Sequence, residues 1–119
     1  MNILVINPGG TSTKIAVFSD KQEVFKKSIS HTQADLDQFG RVFDQYQYRR
    51  DLVIQALAEN GFKLADIQAV AGRGGLMKPI PGGTYGVNDR MIDDLRMAVN
   101  GEHASNLGAL LAKTIGDEI

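Results

Sequence analysis

A polar turn between two apolar runs constrains this chain more than any other feature. Residues 7–14 have the sequence Asn-Pro-Gly-Gly-Thr-Ser-Thr-Lys, and the apolar runs Ile3–Ile6 and Ile15–Phe18 flank them. Short apolar runs on either side of a Pro/Gly turn predict a β-hairpin. The first run is continuously apolar, which predicts a central strand with both of its faces covered.

The same turn carries more hydrogen-bonding groups than a plain hairpin needs. Three hydroxyls, the Asn7 amide and the Lys14 ammonium lie within it, and Gly9 and Gly10 leave the backbone open to close approach by a ligand. Backbone N–H groups, hydroxyls and a lysine can together hold a phosphate. On these residues alone, a polar turn without a ligand remains the alternative. The sequence contains neither a Walker A loop nor a G-x-G-x-x-G motif.

The composition excludes several classes of function. The chain has 119 residues, 43% hydrophobic and 23% charged, which is ordinary for one soluble globular domain. A formal net charge of −1 argues against a nucleic-acid partner. The absence of cysteine excludes disulfides and thiolate metal sites, and it fits a cytoplasmic protein. The first residues do not resemble a signal peptide and no apolar run is long enough for a membrane span, so no membrane partner is expected.

The remaining pattern predicts a mixed α/β domain. A third strand over residues 22–31 completes an antiparallel meander, and Thr32 can cap a short helix that extends to Phe39. A second helix is predicted from apolar spacings of three and four residues, and it ends at Asn60-Gly61. Residues 67–71 form a short apolar run after that helix, which predicts a strand parallel to the first one.

The spacing also predicts which helical residues face the core and where the loops lie. The second helix is expected to place these residues on its core face: Phe43, Tyr46, Arg50, Val53 and Leu57. A third helix is predicted from Asn88 to Asn100-Gly101, and a fourth begins just after Asn106. The Gly/Pro-rich segment at residues 72–85 is a long loop, and loops of this length in compact domains are usually functional. It opens at the carboxyl end of a predicted parallel strand, where open α/β sheets bind ligands.

Three segments together closely resemble the amino-terminal part of the butyrate kinases of the acetokinase family. They are residues 7–14, residues 72–85 (Gly-Arg-Gly-Gly-Leu-Met-Lys-Pro-Ile-Pro-Gly-Gly-Thr-Tyr) and residues 101–107 (Gly-Glu-His-Ala-Ser-Asn-Leu). The likeness runs along the whole chain. It implies a ribonuclease H-like lobe of the actin-type ATPases, in which an antiparallel β-meander plus a parallel strand form a mixed sheet with packed helices.

The resemblance implies a reaction and its reactants. A phosphoryl group passes between ATP and a short-chain fatty acid carboxylate, with Mg²⁺, and the products are butanoyl phosphate and ADP. An acetate, propionate or branched-chain fatty acid kinase is the alternative within this class, because pocket volume sets the acyl length. Outside it, the alternatives are a non-catalytic half-lobe that binds phosphate or a partner, and a structural domain whose glycine loops are only turns.

The resemblance also assigns roles to residues. Arg73 matches the arginine that binds the substrate carboxylate or acyl phosphate, and His103 matches the histidine that stabilises the transferring phosphoryl group. These two are the implied catalytic residues, although without the resemblance they could be a surface arginine and a helix cap. Asn106 is a weaker candidate for substrate binding. The implied phosphate- and nucleotide-binding residues are Asn7, Gly9, Gly10, Thr11, Ser12 and Lys14. Asn7 also has an indirect role at the Mg²⁺ site, and Gly10 departs from the serine often found at its position.

Members of the family are longer than this chain, which implies that a second lobe is missing. Residues 1–119 would then be one incomplete amino-terminal lobe, and the aspartate that holds magnesium would lie outside them. The chain is therefore expected to be an inactive fragment. Its uncovered sheet edge and apolar surface predict self-association into a homo-oligomer.

Overall fold

The structure is a computed structural model, and it describes residues 1–73, 83–97 and 103–119. Within these ranges the elements follow the order βββααβαα, with short 3₁₀ turns between some of them. The strands are β1 (Asn2–Pro8), β2 (Ser12–Ser19), β3 (Gln22–Ser30) and β4 (Ala69–Gly72). The helices are α1 (Gln33–Asp37), α2 (Tyr46–Glu59), α3 (Asp89–Arg96) and α4 (Leu107–Gly116).

The strands form one mixed sheet in the order β3-β2-β1-β4. β1 pairs antiparallel with β2 and parallel with β4, and β2 pairs antiparallel with β3. The parallel pairing needs a long return connection, which includes α1 and α2. The antiparallel meander and the parallel fourth strand that the sequence predicts are therefore confirmed, and so is the α/β fold class with its packed helices.

One face of the sheet forms the hydrophobic core together with the helices. Leu4 and Ile6 of β1 lie on this face and have no exposed surface. They belong to a buried cluster that includes the helical residues Val53, Leu57, Ile92, Leu95, Leu107, Leu111 and Ile115. Because side chains alternate along a strand, Ile3 and Val5 point to the opposite face, where they stay partly exposed. The predicted cover of both faces is therefore incomplete in the described part of the chain.

The second predicted helix is divided at its start. Val42–Gln45 form a 3₁₀ turn, and α2 begins at Tyr46. Its end agrees with the prediction, because Asn60 is the C-cap residue and Gly61 follows in the left-handed region with φ at +85°. Glycine adopts this conformation without a Cβ clash, so it stops the helix at low cost.

The predicted core position of Arg50 is wrong, and its neighbour Arg49 takes that place. Arg49 has no exposed surface, whereas Arg50 forms an ion pair with Glu118 at the surface. The other predicted core positions are confirmed, because Phe43, Val53 and Leu57 are buried and Tyr46 packs against the core. On a helix with 3.6 residues per turn, a step of four residues returns closer to the same face than a step of three, so the core face of α2 that contains Val53 passes through Arg49 and not through Arg50.

The other helices begin where the sequence predicts, but α1 ends at Asp37 and not at Phe39, and α3 ends at Arg96. Thr32 caps α1 and Asn88 caps α3, each by accepting a hydrogen bond from a backbone N–H. α4 begins directly after Asn106, as predicted. The predicted end of α3 at residues 100–101 and most of the predicted loop at residues 72–85 lie outside the described residues. Within the described ranges, no helix is long and apolar enough to cross a membrane.

α4 approaches β4 so closely that two glycines are required. Gly72 ends β4 and Gly108 lies in the first turn of α4. A Cβ atom at Gly72 would collide with the carbonyl group of Gly108, and one at Gly108 would collide with the carbonyl oxygen of Arg73. Glycine in a strand often marks such a close approach of two backbones. The contact places the beginning of α4 beside Arg73.

Candidate functional site

The predicted site residues meet at a cleft where β1 and β4 end. The cleft has a volume of about 340 Å³, and its lining residues are Asn7, Pro8, Gly9, Ser12, Lys14, Arg73, His103 and Ser105. They come from three separate parts of the chain: the β1–β2 turn with the strand ends that flank it, the residue after β4, and the segment before α4. The fold brings these parts together because β1 pairs with both β2 and β4, and because α4 packs closely on β4.

Three of the predicted site residues lie outside this lining. Gly10 and Thr11 are exposed at the tip of the β1–β2 turn. Asn106 is only 2% exposed, in the 3₁₀ turn that precedes α4. Their roles in binding stay predictions. The structure adds Pro8 and Ser105, which the sequence did not single out. The local sequence could have indicated Ser105, because a serine just before a helix is typical of capping turns.

The β1–β2 turn presents two backbone donors that have no partner among the described residues. It is closed by a hydrogen bond of 2.7 Å from the Gly9 N–H to the Ser12 carbonyl oxygen. In the part of the chain that the structure describes, the N–H groups of Gly10 and Thr11 make no hydrogen bond. Successive free N–H groups in a tight turn form a concavity that suits an anion.

Two cations face the cleft. Lys14 stands opposite Asn7 in the β1–β2 ladder, and Arg73 is held at the end of β4 by a hydrogen bond of 2.9 Å from its N–H to the Ile6 carbonyl oxygen. Among the described residues, neither side chain has an ion-pair partner, and no carboxylate occurs in the described lining. A cleft with two unpaired cations attracts anions.

His103 is oriented by the turn that it caps. Its Nδ1 atom accepts a hydrogen bond of 3.0 Å from the Ser105 N–H and lies 2.8 Å from the Ser105 Oγ atom. A ring nitrogen that accepts from a backbone N–H carries no proton, so the proton of the imidazole resides on Nε2. His103 can therefore donate one hydrogen bond from Nε2. The segment also leads into α4, and the start of a helix favours negative charge.

A residue that the sequence analysis missed lies behind the turn. Arg49 of α2 is fully buried, and it donates to the carbonyl oxygens of Gly9 at 2.7 Å, Ser12 at 3.1 Å and Gly10 at 3.2 Å. The sequence does carry a signal for it, because Arg49 shares the helical phase of Val53, four residues later. A charged residue at that phase is unusual and calls for hydrogen-bond partners.

His31 is a second buried polar group next to the turn. It is 5% exposed, and its Nε2 atom lies 2.8 Å from the Thr13 Oγ1 atom. Its Nδ1 atom has no hydrogen-bond partner among the described residues. Burial lowers the pKa of His31, and the positive charge of Arg49 lowers this pKa further, while Asp35 acts in the opposite direction. His31 is thus part of the support for β2.

The lowered pKa of His31 predicts a loss of stability in weak acid. The unfolded chain binds a proton that the folded chain does not, so this stability is fully present above the unfolded pKa of about 6.5 and is lost as the pH falls toward the folded pKa. We expect the free energy of unfolding, measured with urea, to decrease more steeply as the pH falls below about 6.5 in the wild type than in His31→Gln. Above about pH 7 the two curves should run parallel. Equal slopes in acid would contradict this account.

Comparison with known proteins finds relatives along nearly the whole chain. A probable butyrate kinase of Clostridium botulinum (strain Eklund 17B / Type B) is 47% identical over 117 residues, which cover 98% of this chain and 33% of that protein. Butyrate kinase 1 of Clostridium acetobutylicum is 45% identical over 117 residues, with the same coverage. Butyrate kinase 2 of the same bacterium is 45% identical over 115 residues, 97% of this chain and 32% of that protein. The chain thus spans about a third of the length of these relatives. No family model matches it.

Proposed function

Since the chain is homologous to the butyrate kinases over 98% of its length, we propose that it forms the phosphoryl-binding part of a carboxylate kinase. The reaction transfers a phosphoryl group from ATP to a short-chain fatty acid, butyrate in particular, and gives butanoyl phosphate and ADP. The cleft carries this proposal, because cations, a histidine N–H and turn residues converge there. Phosphoryl transfer depends on such positioning and charge stabilisation.

Each polar side chain of the cleft has a role that its chemistry suits. Arg73 binds the fatty acid carboxylate, because a planar guanidinium donates two parallel hydrogen bonds to a carboxylate. Lys14 acts as a point charge on the phosphate oxygens. The Nε2–H group of His103 donates to an oxygen of the phosphoryl group as negative charge develops on it.

The transfer step balances between the two substrates. A carboxylate oxygen forms a bond to the γ-phosphorus of ATP while the bond from that phosphorus to the β–γ bridging oxygen breaks. The bridging oxygen leaves with the electron pair as part of ADP. Arg73 and Lys14 bring the two anions together against their mutual repulsion, which is the main physical obstacle to this reaction.

The described lining does not by itself fit a protein-bound Mg²⁺ ion. It combines an amide and hydroxyls with the positive charges of Lys14 and Arg73, whereas Mg²⁺ prefers carboxylate, phosphate and water oxygens. Among the described residues, no group of three or more His, Cys, Asp or Glu side chains lies together. The use of ATP with Mg²⁺ and the indirect role of Asn7 at the metal site remain proposals.

Replacing Lys14 with glutamine is expected to weaken the binding of inorganic phosphate to the purified chain. The loss of one charge-assisted hydrogen bond corresponds to a reduction in affinity of about 10- to 100-fold. Lys26→Gln is the matched control, because it removes the same charge from an exposed position on β3. Isothermal titration calorimetry at constant ionic strength measures both affinities. If the two variants weaken binding equally, Lys14 acts only through the net charge, and its proposed role is wrong.

The proposed activity can be tested in a chimera. Residues 1–119 replace the aligned segment of butyrate kinase 1 from Clostridium acetobutylicum, and hydroxylamine traps the acyl phosphate that forms from ATP and a fatty acid. We expect butanoyl hydroxamate, with lower yields from acetate, propionate and branched-chain acids. The purified 119-residue chain is assayed in parallel and is expected to form none. A folded chimera that binds ATP but yields no acyl hydroxamate would refute the proposed function.

A further inference from the structure

Arg49 is an unusual cation because, among the described residues, its hydrogen-bond partners are all neutral acceptors. Besides its bonds to the turn carbonyl oxygens, its Nη1 atom lies 3.3 Å from Thr13 Oγ1, and its Nε and Nη2 atoms donate to Gln45 Oε1 at 3.1 and 2.8 Å. Within the described ranges, no carboxylate forms an ion pair with it. Arginine stays protonated in proteins, so a full positive charge is buried directly behind the turn.

A contact between α2 and the turn would not by itself require this charge. Burying an ion without a counter-ion costs several kcal/mol as an order of magnitude, and a neutral amide could donate to carbonyl oxygens without that cost. Gly9 and Ser12 accept hydrogen bonds from Arg49 and also line the cleft. At these residues the turn backbone is therefore the layer between the buried guanidinium and the cleft. The electrostatic field of the guanidinium acts on a ligand in the cleft across this layer.

The bonds of Arg49 also fix the direction of the free N–H groups. In a trans peptide, the C=O and the following N–H point to opposite sides, and every described peptide bond is trans. Arg49 draws the carbonyl oxygens of Gly9 and Gly10 toward α2. The N–H groups of Gly10 and Thr11, which have no partner in the described part of the chain, therefore point away from α2.

We propose that Arg49 is a positioning residue for phosphate binding. It orients the Gly10 and Thr11 N–H groups, which lie between the lining residues Gly9 and Ser12 at the edge of the cleft, toward the phosphate, and it adds a fixed positive charge behind the turn. The inference rests on the proposed function, because the ligand is the phosphate group of ATP or of the acyl phosphate. It differs from the roles of Lys14 and Arg73, which line the cleft themselves. Lysine cannot replace Arg49, because one ammonium group cannot serve several acceptors in the plane of a guanidinium fork.

The test measures phosphate affinity and local amide signals in the same experiment. The purified chain and its Arg49→Lys and Arg50→Lys variants are labelled with ¹⁵N and titrated with inorganic phosphate. We expect Arg49→Lys to weaken binding on the order of 10-fold and to lose the response of the Gly10 and Thr11 amide signals. Arg50→Lys, one residue away at the surface, should match the wild type. A merely structural role would lower the melting temperature without changing the affinity of the folded protein.

A second variant covers the case in which Arg49→Lys does not fold. Gln45→Met keeps Arg49 but removes the Gln45 Oε1 atom, which accepts two of the hydrogen bonds from Arg49. The guanidinium should then be held less firmly, and phosphate binding should weaken by roughly 2- to 5-fold. Wild-type affinity and wild-type Gly10 and Thr11 responses in the folded variants would overturn the role of Arg49 and leave the proposed function intact. A wild-type chain without any phosphate response at Lys14 or Ser105 would overturn both.

Discussion

Arg73→Ala is expected to reduce the rate of butanoyl phosphate formation in the chimera by on the order of 10²- to 10³-fold. Without the guanidinium, the fatty acid carboxylate loses its bidentate partner and meets the ATP phosphates with its charge uncompensated. The fold should be unaffected, because Arg73 contributes its backbone N–H to the sheet and its side chain is exposed. The loss should appear mainly in kcat/KM for butyrate, with little change in the KM for ATP.

Two further variants separate geometry from charge at this position. Arg73→Lys keeps the charge but not the planar fork, so it should recover less than about a tenth of the lost activity. Arg90→Ala removes an exposed arginine from α3 and is the matched control, for which wild-type rates are expected. If Arg73→Lys retained full activity, bidentate binding of the carboxylate would be disproved.

Gly108→Ala is expected to destabilise the domain by about 3 kcal/mol or more. The new methyl group would collide with the carbonyl oxygen of Arg73, which belongs to the backbone and cannot rotate away. Alanine inside a helix normally stabilises by about 1 kcal/mol relative to glycine, so the sign of the effect is diagnostic. Urea denaturation measures it, and weaker phosphate binding should accompany it because α4 and His103 are pushed away from Arg73.

Gly116 provides the matched control on the same helix. A Cβ atom at Gly116 would meet no atom within 4 Å, so Gly116→Ala should be neutral or slightly stabilising. Equal stabilities of the Gly108→Ala and Gly116→Ala variants would contradict the close approach of α4 to β4.

The fold could be predicted from the sequence where local patterns determine it. The Pro/Gly turn at residues 8–10 separates two apolar runs, and Thr32 and Asn88 mark helix starts by capping chemistry that acts within three residues. The parallel pairing of β4 with β1 followed from its place after a helix. In each of these cases the information lies within a short stretch of chain.

The support of the site could not be predicted, because it depends on residues far apart in sequence. The apolar spacing selected Arg50, whereas the buried position is Arg49, four residues before Val53 on the core face of α2. The sequence shows a glycine at 72 and another at 108, but not that their backbones touch. The six predicted residues that line the cleft came mainly from the family resemblance, which places Asn7, Arg73 and His103 together without giving the contacts that hold them.

The most direct test of the central claim is a titration of the ¹⁵N-labelled wild-type chain with inorganic phosphate. The claim is that the cleft between the β1–β2 turn and the start of α4 binds the phosphoryl group. We predict saturable shifts of the Ser12, Lys14, Arg73 and Ser105 amide signals that share one dissociation constant. Absence of these shifts, or shifts confined to exposed lysines of β3 such as Lys26, would contradict the claim.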